Sequence, residues 1–272
     1  QKIKEFQDRV EHLAETYPNS KWYESALFSL GNYYLLKKAT TRSRNYYERA
    51  ARTFPQGKYA ARAHWKVCWR AYLDRDPKAR LLFEEHVKLY PHSTSASGAI
   101  YWTGRLEEKE NSSRAASLYM ALTKHFPHYY YGYLARQRLQ NISFPKLNPA
   151  ESSLPISLTA LPRVRKIARK TSAETKSLLR RGKILYKLGL VKQAITELRT
   201  GDYHKPDSPW IGLTLAEQHS AQGRHHLGLR MMKRYGFGYL RMQFESMPRE
   251  FWERLFPMPY EKSLRARSKP HK

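Results

Sequence analysis

Tyr47-Glu48-Arg49-Ala50-Ala51-Arg52-Thr53-Phe54-Pro55 decides how the first half of this chain is read. Its apolar and small positions, Tyr47, Ala50, Ala51 and Phe54, fall at i, i+3, i+4 and i+7, one stripe of an α-helix. The proline then closes the helix, because its ring disfavours helical backbone in the residue before it. The arrangement recurs three times. Val10, Leu13, Ala14 and Tyr17 precede Pro18; Phe83, His86, Val87 and Tyr90 precede Pro91; Tyr119, Leu122, Thr123 and Phe126 precede Pro127. The prolines lie 37, 36 and 36 residues apart. A period near 36 predicts an array of repeated supersecondary units.

Each proline is followed by a second helical stretch, with Ser20 and Ser93 as expected N-caps. Its packing face is Ala26, Leu27, Leu30, Gly31 and Tyr34 in one unit. Ala63, Trp65, Val67 and Trp69 serve in the next, and Ala99, Trp102, Gly104 and Leu106 after that. Small residues such as Gly31 and Gly104 allow helices to cross closely. The order Leu27, Leu30, Gly31, Tyr34, Ser43, Tyr47, Ala50, Pro55 follows the small and large positions of a tetratricopeptide-type helix-turn-helix. No single pair can bury both its faces, so neighbours must stack. The expected fold is all-α, a right-handed superhelix of tetratricopeptide-like units with a concave face.

Residues 1–141 carry these repeats. Residues 142–162, with Pro145, Pro149, Pro155 and Pro162 among serines, read as a linker. Helices are expected again from about 163. Leu178, Gly182, Leu185, Ala194 and Leu198 repeat the spacing around a Leu188-Gly189-Leu190 turn. Ser208 is an expected cap, with Pro209 in the first helical position. That helix runs to about Gln222-Gly223, and another spans about 224–234 before the glycine-rich break Tyr235-Gly236-Phe237-Gly238-Tyr239. The second set of helix pairs therefore covers 163–247. Residues 248–272 are a short helix, ending before Pro257, and a hinge.

Composition sets the bounds. The chain is 41% hydrophobic, too apolar to stay wholly disordered, yet no stretch is long and apolar enough to span a membrane. Gln1-Lys2-Ile3-Lys4-Glu5 has no apolar segment behind it and reads as a mature or mid-chain start rather than a signal peptide. One cysteine, Cys68, is expected to form neither an internal disulfide nor a zinc site; it reads as a buried thiol beside Trp65 and Trp69. The net charge is +27, and the windows 152–173 and 218–244 contain no acid. Such a field attracts polyanions: nucleic acid, anionic wall polymer, acidic headgroups or an acidic protein.

Candidate chemistry is sparse. Glu245-Ser246 is only a dipeptide, and His225-His226 point about 100° apart on a helix and cannot chelate together. His219 lies near them without an acid or thiol, and Gly236-x-Gly238 follows no strand. Neither a catalytic residue, a metal site nor a cofactor is expected. Aromatics interleaved with cations say more: Trp65, Trp69 and Tyr72 with Arg62, Lys66 and Arg70; Tyr101-Trp102 with Arg105; and Tyr129-Tyr130-Tyr131. They suit stacking on sugars or bases, or a helical core.

Two stretches go further. One is Tyr101-Trp102-Thr103-Gly104-Arg105-Leu106 followed by Ala115, Leu118-Tyr119, Leu122, Phe126-Pro127 and Tyr130-Tyr131-Gly132-Tyr133-Leu134-Ala135-Arg136-Gln137-Arg138-Leu139. The other is Met247-Pro248-Arg249-Glu250-Phe251-Trp252-Glu253-Arg254-Leu255-Phe256-Pro257-Met258-Pro259-Tyr260. Together they resemble the superhelical region of soluble lytic transglycosylases, with the second similar to the segment that precedes the catalytic lysozyme-like domain. In that family a glutamate there protonates the bond between N-acetylmuramic acid and N-acetylglucosamine, and a 1,6-anhydro ring forms. This chain has no Glu-Ser followed by Gly-Leu-Met-Gln, so the resemblance implies a wall-binding scaffold that does not cleave by itself. It implies peptidoglycan and the enzyme's own catalytic domain as partners, and a periplasmic or cell-envelope location. The expected glycan contacts are Trp65, Trp69, Trp102, Arg105, Tyr130 and Tyr131. The alternative is a non-enzymatic tetratricopeptide scaffold of the bacterial envelope that binds a protein. Nucleic acid is disfavoured, since no per-repeat set of base-reading positions is present.

Overall fold

Each of the four repeated aromatic-proline pairs ends a helix two residues before the proline. α1 (Lys2–Thr16), α3 (Thr40–Thr53), α5 (Ala79–Leu89) and α7 (Ser112–His125) stop before Pro18, Pro55, Pro91 and Pro127. Phe54, Tyr90 and Phe126 leave the helix at φ −125°, −129° and −135°, outside the helical region that a following proline disfavours. In all four repeats the aromatic carbonyl then accepts the N–H three residues on: Ser20, Gly57, Ser93 and Tyr129 donate, at 2.9 to 3.2 Å. Proline thus sits second in a β-turn, where its fixed φ costs nothing.

A different joint closes each pair. α2 (Lys21–Leu36) and α4 (Ala60–Leu73) lead to α3 and α5 through Lys38 and Arg75, both at φ +57°. Ala39 and Asp76 then donate back to Tyr34 and Ala71 at 3.0 and 2.9 Å, closing a Schellman turn. α6 (Ala96–Glu107) joins α7, and α8 (Tyr130–Asn141) follows. Connections of three to six residues turn each helix back against the one before.

The structure is a computed structural model, and it describes residues 2–141, 161, 167–168, 170–202, 204–236 and 238–268. The chain folds as two compact units, Gln1–Pro162 and Arg163–Lys272. It is all-α, built of consecutive helix-turn-helix pairs, with no strand among the described residues. The expected linker 142–162 lies outside the described residues except Leu161, which is buried in the core of the first unit.

That core forms from the expected stripes. Tyr47, Ala50, Phe83, His86, Val87, Tyr119, Leu122 and Phe126 are all within 2% of full burial. Each such large apolar side chain contributes about 1.5–3 kcal/mol. Gly31 and Gly104 explain how the pairs close: a Cβ there would stand 2.5 Å from Tyr47 and 2.8 Å from Tyr119. Glu24, buried on α2, takes the Tyr59 N–H at 2.6 Å and so holds the turn into α4. Tyr17 departs from its stripe and is 59% exposed.

In the second unit α9 (Ala173–Lys187) and α10 (Val191–Arg199) form one pair. α11 (Ser208–Ala221) and α12 (His225–Tyr235) form another, and α13 (Arg249–Leu255) and α14 (Glu261–Ser268) follow. Gly189 and Gly223, at φ +74° and +70°, occupy the same Schellman position as Lys38 and Arg75. Phe251, Trp252 and Leu255 of α13 bury against Leu213, Ala216 and Met232. Phe256 before Pro257 repeats the terminal geometry of the first unit, at φ −126°.

Two sequence expectations are corrected. Ser20 does cap α2, accepting from Tyr23 N–H at 3.1 Å, but Ser93 caps nothing. Its N–H closes the proline turn and its hydroxyl meets His86 and Ser95, so α6 starts three residues later. Ser208 lies inside α11, with Pro209 next; Asp207 flanks the helix and gives its carboxylate to the Ser172 N–H at 2.8 Å. The start expected at about 163 lies outside the described residues; the first described helix of the second unit begins at Ala173, where the Ser172 hydroxyl accepts from Thr175 N–H.

Candidate functional site

The helices that follow the prolines, α4, α6 and α8, place their aromatic side chains next to one another. On α4, Trp65 and Trp69 stack at 6.0 Å, and Trp69 and Tyr72 at 5.3 Å. α6 adds Trp102, whose ring lies 5.2 Å from Trp69 and 4.7 Å from Tyr72. α8 adds Tyr131, 5.4 Å from Tyr101, with its hydroxyl accepting from Trp102 Nε1 at 3.4 Å. Gly98 makes room between them: a Cβ there would meet Tyr131 at 2.9 Å and Trp65 at 3.0 Å. The result is a continuous aromatic ridge across three helices.

Of the six expected contact residues, Trp65, Trp69, Trp102 and Tyr131 belong to this ridge, half-buried and packed on the core. Tyr130 is 67% exposed and stands edge-on to Tyr131 at 5.4 Å. Arg105 is half-buried and reaches Glu108 at 3.3 Å. Glu108 also accepts from Arg138 Nε at 2.8 Å and from the Tyr119 hydroxyl at 2.7 Å. Burial favours the protonated Glu108 carboxyl, but the Arg138 and Tyr119 hydrogen bonds outweigh it and hold the group below its ordinary value. Burial, reinforced by Glu108, pushes the Tyr119 hydroxyl up. Glu108 therefore braces α6, α7 and α8 beneath the ridge. Such a surface can stack planar or sugar rings; it has no nucleophile beside a base.

No protein-family model matches the chain, and no curated protein matches it in sequence.

Sequence reasoning missed Trp22, which at 69% is the one fully exposed tryptophan. Its position was readable: it lies off the stripe of Tyr23, Ala26, Leu27 and Leu30, and Lys21 Nζ sits 5.4 Å from its ring. Also missed was a cationic row on α9. Lys176, Arg180, Lys183 and Lys187, about one turn apart and all exposed, line a cavity of about 470 Å³ with Leu179 and Ile184. Most of the acid-free window 152–173 lies outside the described residues.

Glu245 and Glu250 line another cavity, of about 300 Å³, but both are exposed, and the Ser246 hydroxyl is bonded to the Gln243 carbonyl at 2.7 Å. A carboxylic acid that donates a proton at neutral pH needs a buried setting. His219 is buried with neither ring nitrogen hydrogen-bonded; burial, with Arg199 and Arg224 nearby, keeps it uncharged. It forms no ligand group with His225 and His226. Among the described residues one such group exists, and it includes the thiol: His64, Cys68 and His86.

Proposed function

We propose that this chain is a helical-repeat scaffold that binds peptidoglycan and positions the catalytic domain of a lytic-transglycosylase-type enzyme. The observation that carries the reading is the aromatic ridge of α4, α6 and α8. Its rings are fixed by the core on one side and reachable from the other, as sugar stacking requires. Tyr130 extends the ridge into solvent. The α9 row offers cations to the carboxylates of stem peptides, and the +27 charge strengthens that field. The exposed Phe256, Met258 and Tyr260 fit the part of the reading in which a further domain packs beside α13.

The test is retention of the purified chain on isolated sacculi, together with a murein zymogram. The chain is expected to sediment with sacculi at low salt, to lose retention in Tyr130→Ala, and to leave the zymogram uncleared. No retention at low salt refutes wall binding. Retention equal to that on a neutral polysaccharide such as cellulose refutes the charge contribution. Clearing refutes the scaffold role.

A further inference from the structure

His64 and Cys68 lie four residues apart on α4 and so share a face. α5 brings His86 against them. The two Nδ1 atoms are 3.2 Å apart, Cys68 Sγ is 3.2 Å from His64 Nδ1, and all three donor atoms fall within 4.8 Å of one another. Cys68 and His86 are fully buried; the His64 side chain is 12% exposed. It lines a cavity of about 230 Å³ between α3, α4 and α5, with Glu85 and Tyr90.

We propose that His64, Cys68 and His86 form a zinc-binding site whose fourth position opens toward that cavity. The site does not depend on the glycan-binding reading: it uses donor atoms of α4 and α5 rather than ring faces. Tetrahedral zinc, with Zn–N of 2.0–2.1 Å and Zn–S of 2.3 Å, sets its nitrogens about 3.3 Å apart and nitrogen from sulfur about 3.6 Å. The two observed 3.2 Å separations approach this, and small side-chain rotations complete it. A thiolate with two imidazoles is a donor set that suits zinc.

The surroundings orient the ligands as outer groups do in metal sites. His86 Nε2 meets the Ser95 hydroxyl at 2.9 Å, and His64 Nε2 lies 3.6 Å from the Glu85 carboxylate. With each Nε2 proton directed at its oxygen, both Nδ1 lone pairs face each other across 3.2 Å. A cation between them accepts both, along with the sulfur. Burial keeps both imidazoles uncharged, pushing His86 down to about 3. Burial also keeps the Cys68 thiol protonated, and its sulfur points at the Leu82 carbonyl at 3.2 Å. Binding therefore breaks the S–H bond, forms the S–Zn bond and releases the proton to solvent.

Cys68 is the chain's one cysteine, so any thiolate-to-cobalt charge-transfer band reports this site alone. The full chain, stripped with a chelator, is titrated with Co²⁺ and then with Zn²⁺. The band is expected to saturate at one equivalent and to vanish as zinc displaces cobalt. Cys68→Ser should remove the band and weaken zinc binding by more than about 100-fold. His225→Ala with His226→Ala should change neither. Where circular dichroism shows that Cys68→Ser has not folded, His64→Asn, at the cavity side, must show the same loss of zinc affinity. Absence of the band at stoichiometric cobalt, or zinc affinity unchanged in the ligand variant, overturns the proposal.

Discussion

Gly132→Ala tests the tightest joint in the first unit. A Cβ at Gly132 would stand 1.9 Å from the Phe126 carbonyl oxygen. To reach ordinary contact at 3.4 Å that oxygen must retreat by about 1.5 Å, and it has little freedom to do so. Phe126 is fully buried, its N–H is tied to Leu122 O at 2.8 Å, and its carbonyl holds the Tyr129 N–H at 3.2 Å. Overpacking against fixed backbone costs about 1–3 kcal/mol. Losing the turn hydrogen bond adds about 1 kcal/mol. The helix preference of alanine over glycine returns about 1 kcal/mol. The net loss is about 1–3 kcal/mol. With a urea dependence of about 2 kcal/mol per molar, the midpoint falls by about 0.5–1.5 M. Urea unfolding followed by tryptophan fluorescence reads this directly, because Trp65, Trp69 and Trp102 pack on the core that Gly132 helps close. A Gly132→Ala protein as stable as the parent refutes the close approach of α8 to the Phe126 turn.

Lys38→Gly should raise the melting temperature, since it relieves a side chain from φ +57°; the net gain is at most about 1 kcal/mol after the added freedom of the unfolded chain. Because the Glu108 carboxyl is held below its ordinary value, its contribution is complete near neutral pH and is lost as pH falls below about 4.5. Glu108→Gln should cost about 2 kcal/mol at pH 7 and flatten the acid limb of a stability profile. Gly98→Ala should shift the tryptophan emission and lower retention on sacculi together, by forcing Trp65 and Tyr131 apart. Reversing the four α9 cations, Lys176, Arg180, Lys183 and Lys187, to glutamate should weaken retention and reduce its salt dependence while helical circular dichroism stays constant; unchanged retention removes α9 from the binding surface.

The helix ends were legible because proline acts through its own neighbour. The restriction on Tyr17, Phe54, Tyr90 and Phe126 is local, so spacing alone placed four helix termini. The stripes were equally legible, down to His86 sitting among core residues. Caps were less so, because Ser93 and Asp207 had more than one possible partner. Their polar atoms went to His86, Ser95 and Ser172 on other segments. The aromatic ridge was half legible: the α4 stripe could be read from spacing, but its meeting with Trp102 and Tyr131 depends on Gly98. The thiol cluster was hidden for the same reason. His64 and Cys68 share a face by arithmetic, whereas the third ligand comes from a neighbouring helix. Trp22 was passed over because it belongs to no stripe, which is why it is exposed.

From α1 to α5 two kinds of joint alternate, and each is completed by backbone groups at most five residues apart. Glu24 of α2 adds a side-chain bond to the turn into α4, and the local backbone bonds set the turns themselves. Cutting the gene after one aromatic-proline pair and rejoining it at the next would remove one whole unit and leave both kinds of joint intact. Duplication at the same points would add one. The chain can thus change length by unequal recombination without inventing a new turn, and such an event needs only to match the stacking faces on either side.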